Sequence, residues 1–319
     1  MSEVTEQPGT YAAPLPKSHV EPRPPSRAIE PGFVRSRTAW RESYFYQGFR
    51  RFLRNRGAVL AAIFLLALIL VAVFAPVVAP YDPIKIDPTD TRQRPNWRHL
   101  AGTDPFGRDI LSRIIYGTRI SLRLGLISVA VALGVGGIVG LYAGYVGGRL
   151  DLFVGVLVNI MLAFPGLLLA LSVVAILGPG LNNVMLAVGI SSIPDFLRVV
   201  RSSVMSVKEE AYVEAARCIG CTNRRIIFRH VAPNVLAPAI VLASLWVGTA
   251  ILIGASLNFL GLGAQRPMPE WGLMVSEGRD ALATDWWLST FPGLAIAVTV
   301  LAMNIVGDGL RDVLDPRFN

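Results

Sequence analysis

The chain has 319 residues, 53% hydrophobic and 16% charged, with 30 basic and 22 acidic side chains giving a net charge of +8. Soluble domains carry roughly a quarter charged residues, so composition speaks against a soluble enzyme, and glycine and proline dispersed through apolar stretches point to membrane helices. Two cysteines, Cys218 and Cys221, supply no disulfide framework.

Residues 1–34 hold seven prolines and almost no large apolar side chains, too little burial to offset ordering entropy, so a disordered tail is expected. Over residues 35–57 the aromatics Trp40, Tyr44, Phe45, Tyr46, Phe49 and Phe52 mix with Arg41, Arg50, Arg51, Arg54 and Arg56. That mixture predicts an interfacial amphipathic helix, with rings at headgroup depth and guanidiniums toward anionic membrane lipid. The adjacent span holds this basic cluster at the membrane, which speaks against a nucleic-acid partner.

A helix rises about 1.5 Å per residue, so roughly 20 apolar residues cross a hydrocarbon core about 30 Å thick. Six runs meet or approach that length: Ala58 to Ala79, Leu124 to Val146, Leu152 to Leu177, Val184 to Val200, Val235 to Leu260 and Leu288 to Gly307. They predict an all-α integral membrane protein with six transmembrane helices. Residues 58–117 form the first span and an outer loop, and residues 118–319 a five-helix core. The fourth run is the shortest and carries Asp195 and Arg198, whose i,i+3 spacing lets them pair or sit near the interface. The first run starts too far into the chain for a secretory signal and reads as an uncleaved span. Six spans put both termini on one side. Taking that side as cytoplasmic places twenty of the thirty basic residues inside, so the positive-inside rule predicts a multi-pass cell-membrane protein with cytoplasmic N- and C-termini.

Within the second run, Gly136, Gly140 and Gly144 recur every fourth residue, a stripe that lets another helix backbone approach closely, most often within one subunit. Pro165, Pro194, Pro238 and Pro292 fall in later runs, where each removes a backbone donor, and kinked spans lining a cavity would meet the freed carbonyls. Asn159, Ser172, Ser256, Asn258 and Asn304 are candidates to face a translocation path, although each type equally serves as an interhelical hydrogen bond.

The polar segment 208–234 is too long and too patterned for a simple turn. Glu209, Glu210 and Glu214 precede Arg217, Arg224, Arg225 and Arg229, in the order a helix dipole favours. Gly220 is placed to end a first helix, Arg224 to Val231 to form a second, and Pro233 to begin the next span. A short helix pair displayed on the cytoplasmic face is predicted.

Glu214-Ala215-Ala216-Arg217, then Gly220, then Pro233, resembles the EAA loop of permease subunits in ATP-binding-cassette importers. Two further segments are similar to the dipeptide, oligopeptide and nickel permease group, in its C-type subunit. One is the outer loop His99-Leu-Ala-Gly102-Thr103-Asp104-Pro-Phe-Gly107-Arg108-Asp109. The other runs from Ala255 to Gly263 and on through Trp271-Gly-Leu-Met274 and Glu277-Gly-Arg279, and the chain closes on the matching Gly307 to Arg311 and Asp315-Pro-Arg317. The resemblance covers about residues 45–319. It implies the type I importer, MetI-like permease fold and transport of di- or oligopeptides, with nickel complexes or glutathione as the alternative cargo. The implied partners are a homologous B-type permease subunit, two cassette ATPases that dock on the EAA coupling helix, and an extracytoplasmic solute-binding protein. The outer segments around 102–109 and 263–285 then cap the pathway or meet that receptor, or form an ordered lid without a partner contact.

Other chemistry is poorly served. A P-loop needs Gly-Lys followed by Ser or Thr, whereas Lys17, Lys85 and Lys208 follow Pro16, Ile84 and Val207, so ATP and its Mg must be bound by the partner ATPases and no cofactor is expected here. Cys218-Ile-Gly-Cys221 offers half of a tetrahedral metal site with no second pair, and no metal is expected. A proton-coupled carrier would need ionisable groups at membrane depth, where only Asp195 qualifies, and no paired aspartates, HExxH or nucleophile with a base occur within the spans of a would-be hydrolase.

Overall fold

The structure is a computed structural model that describes residue 50 and residues 52–314. The tail over 1–34, most of the interfacial helix over 35–57 and the closing Asp315-Pro-Arg317 lie outside the described residues. From residue 56 onward the described residues form eleven α-helices: α1 (Arg56–Val73), α2 (Ala75–Val78), α3 (Ile110–Val146), α4 (Gly148–Leu162), α5 (Gly166–Leu177), α6 (Leu181–Val207), α7 (Ala211–Cys218), α8 (Asn223–Ile226), α9 (Ala232–Phe259), α10 (Trp271–Gly278) and α11 (Trp287–Leu314). Five helical stretches are long and apolar enough to cross a membrane, and α4 with α5 forms a sixth, broken candidate.

Local chemistry sets most boundaries. Asn55 caps α1 through Oδ1, which accepts the Ala58 amide at 3.2 Å. The first predicted run breaks at Phe74, because Pro76 cannot donate into a continuous ladder but fits the first turn of a new helix. Arg119 donates to the Ala72 and Val73 carbonyls at that break. The second span was expected from Leu124, yet α3 begins fourteen residues earlier, capped by Asp109. Arg113, Arg119 and Arg123 lower the hydropathy of this first part without disturbing its helix, which packs against the loops at its end of the molecule.

The third run, Leu152 to Leu177, is not one straight span. α4 and α5 meet at 94°. Pro165 disfavours α geometry at Phe164 and itself takes an extended conformation (φ −55°, ψ 132°), so the helix ends and restarts. At about 1.5 Å per residue the two legs are about 22 and 18 Å long, each too short to cross alone.

The glycine stripe packs within the chain. A Cβ on Gly136 would lie 2.7 Å from the Ile193 carbonyl oxygen, one on Gly140 2.9 Å from that of Leu197, and one on Gly144 2.9 Å from that of Arg201. Successive turns of α3 thus lie directly on the backbone of α6, and α9 joins the pair through Leu124, Val247, Ile251, Val188 and Phe196 of the central core. One end of the bundle carries residues 81–109 and 263–285; the other carries residues 208–231.

Candidate functional site

At the second end, α7 is an eight-residue amphipathic helix. Val213 and Ala216, three positions apart, are buried, while Glu214, Ala215, Arg217 and Cys218 are exposed. Its inner face joins Val200 and Val204 of α6, Ile226 and Val231 of the following turn, and Val235 and Ala239 of α9. The two alanines of the motif therefore differ. Ala216 is small because it packs on the protein's own core, and only Ala215 is open to a partner.

The end of α7 is set by Gly220 at φ +79°, whose amide donates to the Arg217 carbonyl at 2.9 Å while that of Cys221 reaches the Ala216 carbonyl at 3.0 Å. This is the paired 5→2 and 6→1 closure of a Schellman turn, which the left-handed region requires and glycine supplies. Beyond it α8 runs through a π-turn, Ile227–Val231, into α9. Pro233 sits in the first turn of α9 and is exposed; the widened turn before it relieves the clash of its ring with the carbonyl four residues back. Three contacts fasten the segment. Tyr145 of α3 donates to Asn223 Oδ1 at 2.9 Å, the Arg217 guanidinium lies 6.0 Å from the Tyr145 ring centre, and Asn234 Nδ2 donates to the Tyr212 hydroxyl at 3.1 Å. Ile219 (80% exposed) and Phe228 stand out beside the exposed ridge.

At the opposite end the outer-loop residues Gly102, Thr103, Asp104, Gly107, Arg108 and Asp109 are all buried. Asp104 accepts the Phe106 and Arg108 amides at 2.8 and 2.9 Å and pairs with the Arg108 guanidinium. Asp109 receives the Ser112 amide at 2.7 Å and contacts His99 Nδ1 at 2.9 Å. Glu277 of α10 gathers three guanidiniums: Arg266 at 2.8 Å, Arg113 at 3.1 Å and Arg108 at 3.6 Å. Trp287 closes the cluster by donating Nε1 to the Thr103 carbonyl at 3.2 Å. The motif thus ties loop, α3, α10 and α11 into one unit, and the surface it offers outward consists of other residues, Trp97 (98% exposed), Leu100 and Phe106 among them.

The pathway candidates share no hydrogen bond among the described residues. Asn159 is exposed on α4 and lines a cleft against α6. Ser172 and Ser256 return their hydroxyls to their own helices, at the Leu168 and Leu252 carbonyls. Asn258 is wholly buried, its Oδ1 accepting the Ala264 amide at 2.8 Å, and Asn304 is exposed on α11. Asp195 and Arg198 form no ion pair among the described residues.

With that geometry in place, residues 136–319 match the family of binding-protein-dependent transport system inner membrane components. The match takes in more than half of the chain, from the glycine stripe through α7 to its end. The chain belongs to this permease family. Residues 43–95 also match the N-terminal transmembrane domain of oligopeptide transport permease C. The dipeptide transport system permease protein DppC of Alkalihalophilus pseudofirmus is 47% identical over 278 residues, covering 87% of this permease and 90% of the relative. The di/tripeptide permease DppC of Pseudomonas aeruginosa is 46% identical over 279 residues, with 86% and 91% covered. The glutathione permease GsiD of Pectobacterium atrosepticum is 46% identical over 282 residues, with 88% and 92% covered. The inward-facing MetNI methionine ABC transporter shares the fold at a TM-score of 0.53 and 19% identity, over 64% of this permease and 97% of that chain. The expected MetI-like, all-helical permease fold is therefore the fold of this chain, and the family's role is transport across a membrane rather than catalysis.

One feature of the permease has no counterpart in the sequence motifs. Glu270 caps α10, accepting the Leu273 amide at 2.8 Å, and is 1% exposed. Burial pushes its carboxyl up to about 7, against the opposing pull of the Leu273 and Gly272 amides, Asn258 and Ser121. The Asn258 amide group lies beside this carboxyl but outside hydrogen-bond geometry. A lone glutamate before a tryptophan carries no sequence signal; the spacing Glu270 to Leu273 of a helix cap is the only hint.

Proposed function

We propose that this permease is the C-type membrane subunit of an importer that carries dipeptides or oligopeptides into the cell, and that α7 is where ATP-driven motion enters it. The observation that carries the reading is the division of α7 into a face seated in the core and an exposed ridge. A force applied at Glu214, Ala215 and Cys218 reaches α6 and α9 through the packing of Val213 and Ala216 against Val200, Val204, Val235 and Ala239. The ridge is small at Ala215 and charged at Glu214 and Arg217, which suits a groove with charge-assisted contacts at its rim. Gly220 fixes the ridge's end and Pro233 the start of α9.

In this reading two cassette ATPases hold ATP and Mg on the cytoplasmic side, where both termini also lie, and a homologous B-type permease completes the path. A solute-binding protein delivers cargo to the end bearing Trp97 and Phe106. ATP drives transport only by binding one arrangement of the assembly better than the other, so closure of the ATPases must favour one orientation of α6 and α9. Peptide cargo is supported by the dipeptide and di/tripeptide permeases among the relatives; the glutathione permeases, of nearly equal similarity, support a modified tripeptide as the second reading. Ser172, Ser256 and Asn304 are kept as path candidates, Asn258 as a support for the outer end, and Asn159, on the cleft between α4 and α6, is set apart from the path.

Uptake by sealed vesicles containing the complete complex tests this. Dipeptide accumulation should require ATP on the ATPase side and persist when the proton gradient is collapsed. Accumulation driven by an imposed proton gradient without ATP would overturn it.

A further inference from the structure

A cleft of about 260 Å³ opens between α4 and α6 toward the α7 end of the bundle. Asp151 and Arg201 line it and pair, with Arg201 Nη2 2.8 Å from Asp151 Oδ2. Arg198, one turn farther into the membrane on α6, also lines it, is exposed, and has no ion-pair or hydrogen-bond partner among the described residues. Asp151 and Arg201 offset one another, and Arg198, which lies near the half-buried Asp195 one turn away without an ion pair to it, is the exposed charge left in the cleft. Asn159 lies about two turns deeper than Asp151 on α4, and its side chain too has no partner among the described residues. Between them the walls are apolar, and Leu152 and Val156 are themselves exposed.

We propose that this cleft binds an anionic phospholipid of the cytoplasmic leaflet, with Arg198 as the ligand of its phosphate. A guanidinium facing hydrocarbon is strongly disfavoured unless it reaches headgroup depth or a counter-charge. Asp151 stands three residues from the Gly147–Gly148 turn that begins α4, which sets the Asp151–Arg201 pair at the membrane edge and Arg198 about 4.5 Å below it, within snorkelling reach of a phosphate. Basic clefts between helices at the cytoplasmic side suit anionic headgroups. The cleft offers a phospholipid several contacts: the Arg198 guanidinium for the phosphate, the exposed Leu152 and Val156 for an acyl chain, and the Asn159 amide at the deep end about two turns below Asp151. A free phosphate ion would use only the first of these. The inference is separate from the cargo reading, but the leaflet depends on the orientation proposed for the chain.

The test is native mass spectrometry of the intact complex, purified in a non-ionic detergent and titrated with phosphatidylglycerol or phosphatidylcholine. The wild type should retain phosphatidylglycerol at this subunit in preference to phosphatidylcholine. Arg198→Gln should bind it roughly tenfold more weakly, as expected for loss of one charge-assisted hydrogen-bond donor, and Arg198→Lys should recover part of the loss. The same spectra report whether each variant assembles, and dipeptide uptake by the same preparation reports separately on the transport reading. Equal retention by wild type and Arg198→Gln, displacement of the lipid by inorganic phosphate, or a cleft that takes up no lipid because the homologous permease covers it, would each overturn the proposal.

Discussion

Replacing Gly220 separates the backbone role of the turn that ends α7 from its surface role. Its φ of +79° lies in the left-handed region, and a Cβ built there meets nothing within 4 Å, so a side chain is opposed by conformation and not by crowding. A residue with a Cβ pays about 1–2 kcal/mol to stay left-handed, and a β-branched one sits at the upper end of that range. At 1.4 kcal/mol per factor of ten, Gly220→Val should lower the population of the closed turn roughly 5- to 30-fold and release the Gly220 and Cys221 amides from the end of α7. Gly220→Asn adds a side chain of similar bulk but tolerates this conformation. In proteoliposomes containing the full complex, Gly220→Val should continue to hydrolyse ATP while dipeptide uptake per ATP falls, and Gly220→Asn should stay close to the wild type. Equal behaviour of the two variants, whether both normal or both defective, would refute the argument from the turn.

Two other substitutions test the scaffold. Gly140→Ala places a Cβ 2.9 Å from the Leu197 carbonyl oxygen and 3.2 Å from the Arg201 amide nitrogen, neither of which can move alone, so α3 and α6 must separate. A loss of about 1–3 kcal/mol is expected in a detergent unfolding assay, whereas Gly134→Ala, with nothing within 4 Å, should be neutral or stabilising by up to about 1 kcal/mol. Glu270, raised from 4.5 to about 7, holds its proton more tightly in the native state than in the unfolded chain. Its contribution is therefore most favourable below about pH 4.5 and declines by about 3 kcal/mol as pH rises to about 7. Glu270→Gln should remove that slope, melting near the wild type at about pH 5 and above it at about pH 8; an unchanged pH profile would show that the carboxyl ionises freely in the fold.

The parts legible in the sequence are those in which one residue type forces one geometry. Five long apolar runs became long helices, the four-residue glycine spacing became the α3–α6 contact, and Gly220 ended α7 where its lack of a Cβ was needed. What hydropathy missed has equally local causes. The first fourteen residues of α3 carry arginines that obscure a helix whose periodicity is intact. Pro165 announced a disturbance but not its size, because a kink and a 94° break share the same missing donor. Asp195 and Arg198 have pairing spacing, yet α6 buries part of the first and turns the second into the cleft. Ala215 and Ala216 look alike in sequence, and only the position of Val213 three residues before Ala216 marks which one faces inward. Glu277 could be read as part of a motif, but its convergence with Arg108, Arg113 and Arg266 depends on chain segments more than 150 residues apart in the case of Arg113.

The central claim, that a separate ATPase grips the exposed ridge of α7, is tested most directly by the thiol that stands on that ridge. Cys218 is exposed, and Cys221→Ser leaves it as the sole cysteine of the chain. In membranes holding the permease pair without its ATPases, a membrane-impermeant maleimide applied from the cytoplasmic side should label Cys218 readily, and adding the ATPases back should protect it. Labelling at the same rate with and without bound ATPases would contradict the account.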